Sequence, residues 1–521
     1  MKKMRKLLRI VFGRTTFFVL FLLIQIGYFF GIVEWLSGYS LYVYAFFDLL
    51  GGFLCIYIMN KKDNPSFKLA WMIPVLVFPI FGALLYLYVE LEISGRLIAK
   101  RAGEIERESR RYLAVDEAVF EKLENEDRQT ANLARYVEKR GGFPIRGNTE
   151  ATYFPSGQDK FRQLKEELEK AKHFIFMEYF IVEEGVMWDG LLEILERKAK
   201  EGVEVRFMYD GMCSLVLLPY HYPKKLEAKG IQCKMFAPIK PLLSTYQNNR
   251  DHRKIVVIDG HTAFTGGINL ADEYINEKKR FGYWKDVAVM LKGEAVQNFT
   301  IMFLQMWNIW EKKPVPYEPY LYQPCLEGKE SFSGEKEQTD GYVLAYGDSP
   351  LDHEPVGKKV YLDILYEAKT YVHIMTPYLI LDDETISALT YGAKRGVEVI
   401  IVMPHIPDKK YAFVLAHTYY EELLEAGVKI YEFTPGFVHA KVFTSDDEKA
   451  VVGTINLDFR SLYHHFECAA FLYKNRAVED IEQDFQDTLA KCQEITIETC
   501  REFPLYQKIA GRALRLIAPM M

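Results

Sequence analysis

Hydrophobic positions divide the chain into two regimes. Up to residue 92 they come as long unbroken runs. There is no charged residue from Thr15 to Val33, none but Asp48 from Leu41 to Met59, and none from Leu69 to Val89. A helix needs about 20 apolar residues to cross a hydrocarbon core. The runs therefore predict a membrane anchor over 1–92 with three helices, at about 15–33, 41–59 and 69–89. Beyond it the apolar positions become periodic. Over 93–142 they recur at helical spacing (Leu113, Val119, Leu123, Leu133, Val137) among many charges, which predicts a charged helical connector. After that, short β-branched and aromatic runs alternate with helical stretches, the signature of an α/β fold. A polar segment at 327–340, with Gly328 and Gly334 among Lys329, Glu330, Glu335, Lys336 and Glu337, reads as a linker. It separates a lobe at 143–326 from one at 341–521.

The two lobes repeat one another. Ala171-Lys172 opens the strand-like run Phe174–Val182, a helical stretch follows, and Gly202-Val203-Glu204-Val205 starts another apolar run ending at Asp210. Ala368-Lys369 opens Tyr371–Leu381, and Gly396-Val397-Glu398-Val399 leads into Ile400–Met403. Strand, helix, glycine, strand, given twice, predicts two similar α/β lobes packed as a pseudo-dimer within one chain.

Composition narrows the class. In a chain of 521 residues, 49% apolar and 26% charged residues can build a large core, which excludes a disordered chain and a many-helix transporter. A net charge of −6 supplies no basic field for nucleic acid. The seven cysteines (Cys55, Cys213, Cys233, Cys325, Cys468, Cys492, Cys500) contain no CxxC and form neither a disulfide framework nor a zinc site. Basic residues at the N-terminus (Lys2, Lys3, Arg5, Lys6, Arg9, Arg14) and at Lys61, Lys62 and Lys68 put both segments on the cytoplasmic side by the positive-inside rule. Asp48 reads as locally paired or shallow rather than functional.

Each lobe then carries the same polar constellation. The first has His252-x-Lys254, Asp259 and Gly266-Gly267-x-Asn269; the second has His439-x-Lys441, Asp446 and Gly453-Thr454-x-Asn456. Both run 7 residues from His to Asp, 14 to Gly and 17 to Asn. Residues two apart on a strand face the same side, so each His projects with its Lys. Asp259 and Asp446 complete the two catalytic motifs but sit at turn signals, where a turn-stabilising role fits them best. Gly266, Gly267 and Gly453 would let backbone approach a ligand. Two histidines, two lysines and two asparagines suit one task. Lys254, Lys441, Asn269 and Asn456 would hold an anionic phosphodiester while one neutral His attacks phosphorus and the other, protonated, donates to the leaving oxygen. Orienting carboxylates are expected nearby: Glu467 for His439, and Asp286 for His252. No metal or other cofactor is expected, because a lysine two residues from each His repels a cation and HExxH-type patterns are absent.

At these residues the chain resembles the phospholipase D superfamily, with its paired HKD motifs, and within it the bacterial cardiolipin synthases. The likeness extends to Trp71, Pro79, Gly82 and Leu85-Tyr86; to Arg146-Gly147-Asn148; to Glu178-Tyr179-Phe180; and to Arg250-Asp251-His252-Arg253-Lys254. It continues through Ala271-Asp272-Glu273-Tyr274, Asn456-Leu457-Asp458-x-Arg460-Ser461 and the closing Arg515-Leu516-Ile517-Ala518-Pro519. The resemblance implies two phospholipase D-like lobes with the site between them, in a multi-pass protein of the bacterial cell membrane. It implies that two phosphatidylglycerol molecules become cardiolipin and glycerol through a phosphohistidine, without metal or nucleotide; a nuclease shares the motif, but the three expected spans and the acidic balance argue against nucleic acid. It also implies that His252 is the nucleophile and His439 the acid and base. The chain departs from relatives at Gly267, which lacks the hydroxyl that Thr454 keeps, and at His465, where many relatives have Asn. The tail Tyr506–Met521 alternates Lys508, Arg512 and Arg515 with Leu514, Leu516 and Ile517, a pattern suited to an anionic membrane surface or to packing on its own lobe. The alternative activity is a phospholipase D-type hydrolase, or a transferase with another lipid donor or alcohol acceptor. The motif residues are common to all of these.

Overall fold

The structure, a computed structural model, describes residues 20–27, 40–90, 93–213, 217–237, 249–321 and 341–520. Two compact units divide these residues, one containing the N-terminal helices up to Ile98 and the chain end from Ala513, the other running from Ala99 to Arg512. The predicted linker at 327–340 lies outside the described residues.

In the first unit, residues 20–27 and Ser40–Asn60 are helical, and the rest of the predicted 15–33 stretch lies outside the described residues. The single helix expected over 69–89 is instead two, Pro65–Val77 and Pro79–Glu90, broken at Phe78. Pro79 explains the break, because a residue before proline is driven out of the helical region and proline has no N–H to give. The turn there is sharp enough that a Cβ on Gly82 would fall 2.2 Å from the Pro74 carbonyl oxygen. Gln25 Oε1 accepts from the Phe81 N–H, one of the donors a helix start leaves open. Leu54, Ile58, Val75, Ala83 and Tyr86 form a small core. Among the described residues no helix is long and apolar enough to cross a membrane, which differs from the three spans expected. Phe46, Leu49, Phe53 and Ile56 nevertheless stand exposed on Ser40–Asn60.

The second unit opens with three helices, Ile93–Ser109 (from its second turn on), Glu117–Glu126 and Arg128–Gly141. Asp116 and Asp127 cap the latter two by accepting backbone N–H bonds. The first lobe contains β1 (Thr149–Phe154), β2 (Phe174–Tyr179), β3 (Glu204–Asp210), β4 (Gln232–Phe236), β5 (Arg250–Asp251), β6 (Ile255–Ile258), β7 (Thr262–Gly266), β8 (Tyr283–Lys285) and β9 (Ala288–Gly293). The second contains β10 (Tyr342–Asp348), β11 (Tyr371–Met375), β12 (Glu398–Pro404), β13 (Lys429–Phe433), β14 (Gly436–Val438), β15 (Val442–Ser445), β16 (Lys449–Gly453), β17 (His465–Tyr473) and β18 (Cys492–Ile495).

The main sheet of the first lobe has the order β1-β9-β7-β6-β2-β3-β4, and that of the second β10-β17-β16-β15-β11-β12-β13 with β18 added at the edge. In each, three strands are parallel (β2, β3, β4; β11, β12, β13) and the rest antiparallel. The repeat read from the sequence is thus a repeat of topology. Both faces of the sheets are covered, so their central strands read as continuous apolar runs: Ile255 to Ile258 are at most 4% exposed. In the first lobe, Phe303 stacks on Phe176 from one side at 4.7 Å, and Trp188 stacks on Phe207 from the other at 4.7 Å. The lobes are fastened to each other where Arg146 and Val343 exchange backbone hydrogen bonds of 2.9 and 2.8 Å.

Candidate active site

Two short parallel ladders between the lobes create the site. β5, which leads into His252, pairs with the start of β17, matching His465 with Arg250 and Phe466 with Asp251. β14, which leads into His439, pairs with β8, matching Trp284 with Phe437 and Lys285 with Val438. One step further along each register sets His252 beside Glu467 and His439 beside Asp286. The His252 N–H donates to the Phe466 carbonyl at 3.0 Å, and the His439 N–H to the Lys285 carbonyl at 2.7 Å.

The side chains follow the backbone. His252 Nδ1 donates to Glu467, with both carboxylate oxygens at 2.9 Å. His439 Nδ1 donates to Asp286 Oδ2 at 2.6 Å. This corrects the expected pairing: each carboxylate serves the histidine of the other lobe. Nearness along the chain suggested Glu467 for His439 and Asp286 for His252, but it is the parallel register across the interface that brings the partners together. With Nδ1 committed to a carboxylate, Nε2 is the nitrogen each ring can present to a reacting group.

Lys254 Nζ donates to the His252 carbonyl at 2.5 Å, and Lys441 Nζ donates to the His439 carbonyl. The four side chains are almost wholly buried. Burial, with the two lysine charges behind it, holds both histidines well below their ordinary range. Burial also pushes Lys254 down to about 8 and Lys441 down to about 7, and raises Asp286 to about 7 against the pull of Lys441. The site is therefore built around neutral imidazoles and two cations whose charge is costly until an anion arrives.

The asparagines differ. Asn269 is committed within the protein: its Oδ1 accepts from the Ile181 N–H at 3.0 Å, and its Nδ2 donates to Tyr274 Oη at 2.7 Å. It therefore props the loop carrying Tyr274, whose ring packs on His439, with one of its two amide N–H groups. Asn456 is 4% exposed and its Oδ1 has no hydrogen-bond partner.

Asp259 and Asp446 lie at the far ends of their strands from the histidines. Asp259 accepts from the N–H groups of Lys172, His173 and Phe174 at 2.7 to 2.8 Å. Asp446 accepts from Lys369, Thr370 and Tyr371 at 2.7 to 3.0 Å. Each ties a turn to the first residues of the neighbouring strand, and neither reaches the reacting groups. Placing them among the catalytic residues is therefore corrected: the motif's third member holds the strand that carries the other two.

The glycines also act differently from the ligand-approach role expected. A Cβ at Gly267 would lie 2.1 Å from Asp286 Oδ1, and one at Gly453 would lie 2.4 Å from the Ala469 Cβ. Both admit a neighbouring strand or carboxylate. This explains the missing hydroxyl at 267, where no side chain fits. Thr454 does fit in the second lobe, and its Oγ1 donates to Glu467 Oε2.

Several neighbours were not foreseen. Trp284 and His465 stand two residues before Asp286 and Glu467, and they pack on His439 and His252 with ring centroids 5.4 and 5.3 Å apart. Aligning the repeats through the carboxylates would have exposed this pair. Phe180 lies 4.9 Å from His252 on another side. Beneath the motif, Arg253 points the opposite way from His252 and pairs with Glu178 at 2.5 Å and Asp251 at 3.3 Å.

His252, His465 and Glu467 bring donor atoms within 4.8 Å of one another, a cluster of metal-ligating type. Its donor set fits a cation poorly. Glu467 is already engaged by His252 and Thr454, and the charges of Lys254 and Lys441 bear on the same pocket.

Residues 164–307 and 361–489 match the protein family described as cardiolipin synthase, PLD-like domain, and residues 40–89 match the phospholipase D-nuclease N-terminal family. A Streptococcus mutans protein without a described function is 51% identical over 466 residues, covering 89% of this chain and 99% of its own. Cardiolipin synthase 2 of Bacillus anthracis is 34% identical over 468 residues, covering 90% of this chain and 89% of its own. Among solved structures, phosphatidylserine synthase of Haemophilus influenzae is similar in fold, with a TM-score of 0.55 at 14% identity, over 75% of this chain and 98% of that one.

Proposed function

The chain belongs to the family of cardiolipin synthases with phospholipase D-like domains, and from that premise we propose that it transfers a phosphatidyl group from one phosphatidylglycerol to another, releasing glycerol. The observation that carries the reading is the pair of buried histidines, each held by the opposite lobe's carboxylate and flanked by a lysine.

The chemistry follows from that arrangement. Lys254 and Lys441 hold the phosphodiester anion, and the amide of Asn456 can turn an N–H toward it. His252, neutral and oriented by Glu467, attacks phosphorus through Nε2. The P–N bond forms as the bond to the glycerol oxygen breaks. His439 gives its Nε2 proton to that oxygen, and Asp286 steadies the imidazolium before the transfer. Burial and the lysine charges together keep His439 neutral; arrival of the anion offsets the lysine charges, so substrate binding itself favours the protonated acid. Glycerol leaves, the hydroxyl of a second phosphatidylglycerol enters, and His439 takes its proton as the P–N bond breaks. Lone imidazoles elsewhere would need a base to orient them, whereas here each has a buried carboxylate.

We place the enzyme at a bilayer. Supporting this are the match of residues 40–89 to an N-terminal family of phospholipase D-type proteins and the row of exposed apolar side chains on Ser40–Asn60. A lipid substrate also requires it.

The test is a product analysis. Full-length protein in mixed micelles with labelled phosphatidylglycerol, with EDTA and no nucleotide, should yield cardiolipin and glycerol in equal amounts. His252→Ala and His439→Ala should each abolish it. Phosphatidic acid as the main product would make water the acceptor, and a chelator-sensitive reaction restored by metal would sink the metal-free mechanism.

A further inference from the structure

The two lobes share a topology but differ at the carboxyl ends of their parallel strands, where α/β sheets bind ligands. In the first lobe the segment after β3, residues 211–221, contains no lysine or arginine, and Met212 and Tyr220 are exposed. In the second, the segment after the equivalent β12 ends in Lys409-Lys410. Lys409 is exposed, and among the described residues no carboxylate forms an ion pair with it. Its Nζ lies 4.8 Å from the centre of the Tyr378 ring, a half-buried ring fixed by a 2.6 Å hydrogen bond from its hydroxyl to Asp408. The ammonium is thus held in place over an aromatic face while its charge stays free. The segment carrying Tyr378 lies against the loop that follows Asn456: Leu379 pairs with Leu457 and the Ile380 N–H donates to the Leu457 carbonyl at 2.8 Å. From there the lysine charge adds to the lowering of His252 and His439 and pulls Asp458 down against its burial.

This inference rests on the phosphatidyl-transfer reading above. That reaction brings two phosphates to one site. Lys254 and Lys441 account for the one being transferred. The acceptor lipid carries a second, separated from its attacking hydroxyl by a three-carbon bridge. The hydroxyl must approach His439, because His439 takes its proton. The second anion therefore lies on the His439 side, in the lobe that carries Lys409. We propose that Lys409 recognises the phosphate of the acceptor phospholipid and so makes a phosphatidylglycerol, in preference to a free alcohol, the group that attacks the phosphohistidine. The segment that follows β3, the first-lobe counterpart of the one ending at Lys409, carries no lysine or arginine over 211–221, which sets the two halves of a pseudo-symmetric fold apart.

The experiment compares two reactions of one intermediate in the full-length protein. Phosphatidylglycerol in mixed micelles is supplied with labelled free glycerol, and cardiolipin and labelled phosphatidylglycerol are measured together. Glycerol exchange uses the same donor and the same histidines but an uncharged acceptor. Lys409→Ala should lower the ratio of cardiolipin to exchange by about tenfold or more, as expected when one charged contact to a bound anion is lost. Lys409→Glu should lower it further, and Lys409→Arg should restore most of it. Raised salt should lower the ratio in the parent protein and leave Lys409→Ala little changed. An unchanged ratio in both the Ala and Glu variants would overturn the proposal. So would a proportional fall of both products in variants whose thermal melting matches the parent. Failure of the underlying reading would look different, since the parent protein itself would then make no cardiolipin, whatever its glycerol exchange.

Discussion

Exchange of carboxylates between the lobes makes a prediction that pairing within a lobe would reverse. Glu467→Gln keeps the shape of the side chain but removes the charge that both 2.9 Å contacts to His252 Nδ1 rely on. Glu467 is completely buried, so no water replaces the lost interaction. His252 is neutral at rest and gains charge only as it attacks phosphorus, so the buried charge pair exists in the transition state, where removing one partner costs about 3–5 kcal/mol. If the whole cost falls on the transition state, that is roughly two to nearly four powers of ten in rate, at 1.36 kcal/mol per decade. Asp286→Asn should cost a similar amount, but at His439. The two losses separate with an activated donor, a phosphatidyl ester of p-nitrophenol, whose leaving group needs no proton. A rapid-quench burst of p-nitrophenolate then reports attack on phosphorus alone. His252→Ala should abolish the burst and His439→Ala should retain it. Glu467→Gln should resemble His252→Ala, and Asp286→Asn should resemble His439→Ala. If Glu467→Gln instead behaves like His439→Ala and Asp286→Asn like His252→Ala, the exchange across the interface is wrong.

Three further expectations follow from the same geometry. Gly267→Ala forces a Cβ to within 2.1 Å of Asp286 Oδ1; displacement of that carboxylate should lower turnover by about tenfold or more and lower the melting temperature, overpacking of this kind costing roughly 1–3 kcal/mol. A fully active Gly267→Ala would show that Asp286 can move without consequence. Asp446→Ala removes the acceptor of three backbone N–H groups far from the reacting atoms; it should destabilise the fold by about 2–3 kcal/mol in thermal or denaturant melts, with turnover per folded molecule nearly intact. A loss of turnover without a loss of stability would return Asp446 to the chemistry. Because Lys254 and Lys441 are held near 8 and 7 by burial, kcat/KM should fall as pH rises through 7 to 8 and the lysines lose charge, whereas kcat should hold to higher pH, since bound anion favours the charged lysines. Both histidines lie well below their ordinary range, so kcat/KM should not fall on going from pH 7 to 6; a rise from pH 7 to 9 would contradict the assignment.

The chain by itself disclosed the features that strand periodicity and spacing encode. The β-branched run Ile255–Ile258 marked a buried strand, the alternation of His252 with Lys254 put both on one side of it, and the same spacing from His439 revealed the second lobe. Turn chemistry at Asp259 and Asp446 was equally local. The helix break at Phe78 was available from Pro79 but was outweighed by the apolar run on either side of it. The partners of the histidines could not be read in this way. His252 and Glu467 are 215 residues apart, and His439 and Asp286 are 153 apart. No local pattern records which of two similar carboxylates meets which of two similar histidines. Nor does local pattern reveal that Gly267 faces a carboxylate, that Asn269 donates to a tyrosine, or that Lys409 lies over the Tyr378 ring. These were decided by the parallel ladders β5–β17 and β14–β8 between the lobes. Hydrogen-bond register across an interface fixes which side chains stand opposite one another, and only the folded pair of lobes has that register.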